Sequence, residues 1–283
     1  MRENIEIRPY TDKIIKTIIK YLPNTKNEWK ALGFINSNED VYTFGNDSKI
    51  LGRLFEVLVA DTLLQAANEL GYKLGVSEKQ TIYPDFYFEK VDSKRRIAID
   101  VKTTYRKYNK SGLADFSFTA GSFTSFLRNG TKNIDGKYSD YDAHYILGIV
   151  YTRTDNATIG KINIDNLNSI IPAYKDPEYF VQEKFRICGE KKGSGNTDNI
   201  GTIKSKDIKD FKDGLGPFSF LGKDAFELYW KNYPKYKDSD SEKANKYNDI
   251  DGFISWLSRT NNELSETYRE RYKRYKEYKS TKN

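Results

Sequence analysis

Residues Ile82-Tyr83-Pro84-Asp85-Phe86-Tyr87-Phe88 and Arg96-Ile97-Ala98-Ile99-Asp100-Val101-Lys102, joined through the turn-like Val91-Asp92-Ser93-Lys94, decide the fold. Both flanks alternate with a period of two, the pattern of a half-buried β-hairpin. A turn centred between Asp92 and Ser93 sets Phe88 opposite Ile97 and Phe86 opposite Ile99, so one face is apolar. The other face then pairs Glu89 with Arg96, Tyr87 with Ala98 and Asp85 with Asp100, with Lys102 two residues along. Carboxylates directly opposed on a sheet have Cβ atoms about 5 Å apart and repel unless a cation lies between them. All-oxygen ligation suits a hard divalent ion such as Mg²⁺, which takes one or two protein carboxylates together with phosphate oxygens. Asp85, Asp100 and Lys102 are therefore candidates for metal-assisted phosphodiester hydrolysis, with the lysine stabilising developing charge or helping to orient the attacking water. The competing reading is a charged hairpin facing solvent, since Asp-x-Lys is a common tripeptide in a chain that is 31% charged.

Outward from the hairpin, residues 49–70 carry Leu51, Leu54, Phe55 and Leu58 at helical spacing, with Asn46-Asp47-Ser48 ahead and Gly71 to end the helix. A shorter amphipathic helix spans 10–22 behind Thr11-Asp12. Tyr145-Ile146-Leu147-Gly148-Ile149-Val150-Tyr151 is apolar on both alternating faces, as a central strand is. Residues 161–164 and 179–188 are weaker strand candidates, 224–233 patterns as a helix, and 235–248 reads as loop. The last stretch, 263–283, carries seven basic and four acidic residues with Tyr268, Tyr272, Tyr275 and Tyr278 at helical spacing. A solvated, basic terminal helix is the expectation there, ahead of a DNA-contacting arm.

The 283 residues hold 47 Lys and Arg against 40 Asp and Glu, a net charge of +7 that favours an anionic partner. One cysteine, Cys188, excludes an intrachain disulfide and zinc knuckles, and one histidine, His144, excludes multi-histidine metal sites. His144 adjoins Tyr145-Ile146-Leu147 and reads as structural. No apolar run reaches membrane-spanning length and the first residues lack the core of a secretory signal, so a cytoplasmic protein without a membrane partner is expected.

Pro84-Asp85 followed by Asp100-Val101-Lys102 is the PD-(D/E)xK nuclease pattern. Together with Ile97 to Tyr105, the stretch Phe123-Thr124-Ser125-Phe126-Leu127-Arg128-Asn129-Gly130-Thr131-Lys132-Asn133-Ile134 and Gly193-Ser194-Gly195-Asn196-Thr197-Asp198-Asn199-Ile200-Gly201, it resembles the EcoRV-like type II restriction endonucleases. The resemblance runs over about 42–233. It implies an α/β, restriction-endonuclease-like fold: a central mixed β-sheet flanked by helices, elaborated as one domain over 1–283, with a recognition loop near 190–201. It also implies a homodimer, double-stranded DNA as substrate, Mg²⁺ as cofactor and a cognate DNA methyltransferase in the same restriction-modification system. The implied target is GATATC, cut centrally to leave blunt ends.

By position, the resemblance makes Asp85, Asp100 and Lys102 catalytic and adds Glu56 as a metal-linked acid on the long helix. Gly193, Ser194, Gly195, Asn196, Thr197 and Asn199 match the major-groove recognition loop, where an Asn amide suits adenine. Gln80 falls in a minor-groove loop, with Lys79 and Thr81 departing from the family's pattern. Thr103, Thr104, Ser125 and Lys132 match positions near phosphates. The carboxylate pattern alone also fits a repair or structure-specific nuclease, and the basic composition also fits a non-catalytic DNA-binding protein.

Overall fold

The computed structural model describes residues 12–79, 81–121, 123–193, 199–235, 238 and 246–282. Elements run α1 (Lys13–Tyr21), β1 (Phe34–Ile35), β2 (Asp40–Phe44), α2 (Ser48–Leu70), β3 (Tyr72–Val76), β4 (Phe86–Lys90), β5 (Arg96–Tyr105), β6 (Tyr108–Asn109), β7 (Gly112–Leu113), α3 (Phe123–Arg128) and β8 (Tyr141–Arg153). They continue β9 (Ile159–Asn163), β10 (Tyr174–Glu183), α4 (Lys184–Ile187), β11 (Cys188–Lys192), β12 (Ile200–Thr202), α5 (Ile208–Lys212), α6 (Pro217–Leu221), α7 (Lys223–Asn232), α8 (Ile250–Leu257) and α9 (Asn262–Lys282).

The hairpin forms in the expected register, with Phe88 on Ile97, Phe86 on Ile99 and Glu89 on Arg96, the last closed by an ion pair of 2.8 Å. Its first strand is shorter than the alternation predicts. The ladder stops at Phe86, so Ile82 to Asp85 is not strand, and Asp85 does not pair with Asp100 through the backbone. Its carboxylate instead accepts a hydrogen bond from the Val101 N–H at 2.8 Å, taking up a donor at the point where the ladder ends.

β4 and β5 belong to a five-stranded sheet of order β10-β8-β5-β4-β3, antiparallel throughout except for the parallel β5–β8 pair. The mixed sheet has helices on both faces. Under one face α2 lays Leu51, Phe55, Val59 and Leu63 against Phe86, Phe88, Ile97, Ile99, Leu147 and Ile149. Asp47 caps α2 by accepting from the Lys49 and Ile50 N–H groups, and Gly71 ends it at φ 77°, a left-handed conformation that costs glycine little. On the other face Ala98, Ile146, Val150 and Phe180 pack against Phe123, Phe211, Phe218, Phe226 and Trp230. Burial of each such side chain contributes about 1.5–3 kcal/mol, which makes β5 and β8 a rigid platform.

Gly148 is paired with Lys102 across that platform, and a Cβ there would lie 2.0 Å from the Phe180 ring. Only glycine lets this ring cross β8.

Two other expectations change. The apolar run 179–188 is not one strand: β10 ends at Glu183 and a single helical turn, α4, redirects the chain into β11. That turn buries Lys184, which a continued strand would have left among alternating positions. The terminal segment is the expected helix, α9, with its charged side chains exposed, but it is docked along one stripe: Tyr268 and Tyr272 are 4% and 9% exposed and join the second apolar cluster. Its tyrosine stripe supplies enough apolar area to hold the helix down despite its charge. No helix among the described residues is long and apolar enough to cross a membrane.

Candidate active site

Three oxygens converge where β5 leaves the hairpin. The Lys102 ammonium lies 2.9 Å from Asp100 Oδ1, 3.3 Å from the Val101 carbonyl oxygen and 3.7 Å from Asp85 Oδ2. Alternation explains the convergence, because Ala98, Asp100 and Lys102 share the face opposite Ile97, Ile99 and Val101. Asp100 is almost wholly buried, whereas Asp85 and Lys102 each keep about a fifth to a quarter of their side-chain surface open.

A second lysine, absent from the sequence reading, completes the centre. Lys184, 1% exposed, donates to Asp100 Oδ2 at 3.2 Å, opposite Lys102 on Oδ1. Its ammonium sits 4.1 Å from the Tyr83 ring centre and 4.7 Å from that of Phe123, so aromatic faces share the desolvation cost. Nothing in the run Phe180 to Cys188 singles Lys184 out, since Gln182, Glu183 and Arg186 interrupt the apolar residues as well.

The four charges titrate differently. Burial, and then the neighbouring Asp100 charge, push the Asp85 carboxyl up to about 7. Burial works on Asp100 in the same direction, yet Lys102 and Lys184 hold it below the ordinary carboxylate range. Lys102, although burial opposes its charge, is held above the usual lysine value by Asp100 and Asp85. Lys184 is driven below it, by burial first and by Lys102 in part. One carboxylate is thus a fixed anion, and the other exchanges a proton near neutrality.

The donor set fits a hard divalent cation. Two carboxylates and a main-chain carbonyl surround one ammonium, which stands where an oxygen-ligated ion would be held. Asp85 is raised by burial first and by the Asp100 charge second, so an ionised Asp85 gains from a cation placed between the two carboxylates. Glu56 is not brought into contact with this trio: it is ion-paired with Arg53 one turn earlier on α2, although its charge is felt by Asp85 and Lys102. Among the described residues no group of three or more acidic, His or Cys side chains converges as a metal cage.

Lys102, Thr103 and Thr104 form part of the wall of an open cleft of about 1170 Å³. Gly193, Lys192 and Gly201, at the neck of the β11–β12 hairpin, line it too. The neck is closed by the Gly193 N–H donating to the Asn199 carbonyl at 2.9 Å. Gly193 and Gly201 meet so closely there that a Cβ on Gly201 would stand 3.3 Å from the Gly193 Cα. Ser194, Gly195, Asn196, Thr197 and Gln80 lie outside the described residues. Ser125 is 5% exposed with its hydroxyl 3.5 Å from the Lys132 carbonyl, while the Lys132 side chain is exposed.

His144 is structural. It is buried with Nδ1 2.9 Å from the Tyr83 hydroxyl and its ring stacked on Tyr138, and burial holds its pKa well below the usual value. Cys188 is buried, its thiol pushed up to about 12 by burial.

The sequence model of the family described as "Restriction endonuclease EcoRV" matches residues 25–258. The type II restriction enzyme EcoRV of Escherichia coli is 36% identical over 245 residues, covering 86% of this chain and 96% of its own length. Among solved structures, the NlaIV restriction endonuclease aligns over 89% of this chain and 82% of its own, at 12% identity and a TM-score of 0.31. So low a score carries no weight for the fold.

Proposed function

The chain belongs to the EcoRV family of restriction endonucleases and is a type II, site-specific deoxyribonuclease; from that premise we propose that it hydrolyses both strands of duplex DNA with Mg²⁺, using Asp85, Asp100 and Lys102. The observation that carries this reading is the convergence of Asp85 Oδ2, Asp100 Oδ1 and the Val101 carbonyl on one cationic position at the wall of the cleft. Those three oxygens would hold the metal, which when bound supplies Lewis-acid polarisation of the scissile phosphate and a water of lowered pKa. Lys102, released from Asp100, donates hydrogen bonds to the phosphate as negative charge builds on it. Lys184 keeps Asp100 ionised and oriented, and Glu56 adds negative potential from α2.

Thr103 and Thr104, on the cleft wall beside Lys102, set the register of the DNA backbone, with Ser125 and Lys132 as further phosphate contacts. The segment from Gly193 to Asn199 reads bases in the major groove, with Asn196 on adenine, and Gln80 approaches the minor groove. The target is GATATC with blunt ends, the whole chain 1–283 forms one nuclease domain, and a cognate methyltransferase protects the host.

A palindrome calls for two-fold symmetry, hence a homodimer. A candidate interface is the separate sheet β1-β2-β9, where Phe34, Tyr42 and Ile159 are 56%, 48% and 81% exposed.

The test is digestion of unmethylated phage DNA by the purified protein with Mg²⁺, followed by sequencing of the ends. Discrete fragments ending at GAT and ATC, abolished by Asp100→Asn, are expected. A smear, or cleavage that survives Asp100→Asn, overturns the reading.

A further inference from the structure

Helix α9 lies beyond residue 258, where the family match ends, yet it reaches the cleft that holds Lys102. Its first half is anchored. Ser265 donates to the Ile254 carbonyl at 2.9 Å, Arg271 to the Leu221 carbonyl at 2.9 Å, and Tyr268 is 4% exposed. Residues 268, 272, 275, 276 and 279 fall on one side of a helix by their spacing. The stripe that packs on the core at Tyr268 therefore overhangs the cleft further along, where Tyr272, Tyr275, Lys276, Tyr278 and Lys279 line it. Phe220, with ring centres 5.4 Å from Tyr275 and 5.5 Å from Tyr278, braces this end, and Lys276 is held by Asp251 at 2.7 Å.

The cleft is electropositive. Six lysines line it, Lys102, Lys191, Lys192, Lys204, Lys276 and Lys279, against Asp115, Glu190 and Asp210. Two of the six come from α9, on the same cavity as Lys102 and the neck of the β11–β12 hairpin.

We propose that the C-terminal half of α9 is a fixed DNA-backbone clamp: Lys279 and Lys276 contact phosphates of the duplex lying in the cleft. The inference rests on the reading of that cleft as the DNA-binding site. An anchored helix presents these cations without the ordering cost of a mobile arm; Lys279 counts as a released counterion, whereas Lys276 gives up its ion pair with Asp251 to reach a phosphate and counts for less. Because phosphate contacts carry no sequence information, the clamp raises affinity and leaves the recognised site unchanged.

The experiment is a salt titration of binding to a fluorescein-labelled duplex containing GATATC, read by anisotropy with Ca²⁺ in place of Mg²⁺. Wild type is compared with Lys279→Gln, with the Lys276→Gln/Lys279→Gln pair, and with Lys279→Arg. Lys273→Gln, an exposed position on the same helix away from the cleft, serves as control. The slope of log K against log salt should shrink by about 0.9 for Lys279→Gln, a loss on the order of tenfold at 0.1 M salt, and by more than that but less than about 1.8 for the pair, because Asp251 already neutralises part of the Lys276 charge. Lys279→Arg and Lys273→Gln should keep the wild-type slope, and thermal melts should show all variants folded. An unchanged slope in the pair overturns the clamp, and tighter binding overturns it in favour of a helix that shields the cleft. Failure of the wild type itself to bind or cut duplex DNA would instead sink the underlying reading.

Discussion

Asp85→Asn should stabilise the metal-free protein while abolishing cleavage. Asp85 has its carboxyl raised from 3.8 to about 7, by burial first and by Asp100 second. At about 1.4 kcal/mol per pH unit, a difference of about three units sets a ceiling of about 4 kcal/mol on the cost of holding this side chain ionised in the fold. With part of the side chain open to water, solvent screening reduces the expected gain to about 1–3 kcal/mol. Asparagine keeps an oxygen for the Val101 N–H and nearly the same shape, so the substitution isolates the charge. The sign follows from linkage. An acid whose folded pKa is raised destabilises the fold fully above the folded value, and the penalty fades as pH falls toward the unfolded one. The gain should therefore be full at pH 8, diminish from about 7 downward, and be nearly gone at about pH 4. Urea unfolding in EDTA at pH 8, 6 and 4.5 measures it, with equal m-values showing that the unfolded states are comparable. A variant no more stable than wild type at pH 8, or a gain that does not depend on pH, would refute the charge accounting. Saturating Ca²⁺ should also narrow the gap, because only the wild type retains both carboxylates.

The same titration governs metal affinity: Ca²⁺ binding followed by calorimetry should weaken on the order of tenfold per pH unit below about 7 and level off above it. A flat profile between pH 5.5 and 7 would show that no proton is displaced from Asp85. Lys184→Met should lower single-turnover cleavage on the order of 10- to 100-fold, as loss of a partner that orients a metal-linked carboxylate does. Lys184→Arg should not restore it, because a bulkier guanidinium would have to shift rings that stand 4.1 and 4.7 Å from the ammonium; wild-type rates in either variant would remove Lys184 from the site. Replacing Phe34 and Ile159 together with serine should convert a dimer to monomers in sedimentation velocity, and an unaltered dimer would place the interface elsewhere.

Period-two patterning made the hairpin legible because both of its faces obey hard constraints. Phe86, Phe88, Ile97 and Ile99 have to reach the α2 cluster, and a one-residue slip would bury Glu89 and Arg96 in their place. The long helix was legible through Asp47, Gly71 and its apolar stripe, each a local signal. Lys184 was not, because its role depends on a single turn of helix whose formation is decided by the packing of Phe180, Ile187 and their neighbours, far from the hairpin in sequence. The docking of the terminal helix was hidden for a related reason. Seven basic residues suggested solvation, but Tyr268 and Tyr272 found a groove formed by α6 and α8, and tertiary packing outweighed charge. Local alternation can be read from one segment, whereas a contact between distant segments needs both.

Lys184 changes the charge balance of the centre more than its geometry. Asp85 and Asp100 with Lys102 alone would carry one net negative charge when both carboxylates are ionised, and would repel an incoming phosphodiester. With Lys184 the group is neutral, and with a proton on Asp85 it is positive, which happens near neutral pH. Glu56 and Arg53 together add no net charge, although the Glu56 carboxylate still acts on Asp85 and Lys102. A neutral quartet leaves the charge of a bound divalent cation uncommitted, so it remains available to the two negative charges that accumulate on a phosphate under attack. Placing that second lysine under two aromatic rings keeps water away from it, and a desolvated cation acts on Asp100 more strongly than a hydrated one would. The burial that costs Lys184 part of its affinity for its proton is therefore what lets it hold Asp100 as an anion.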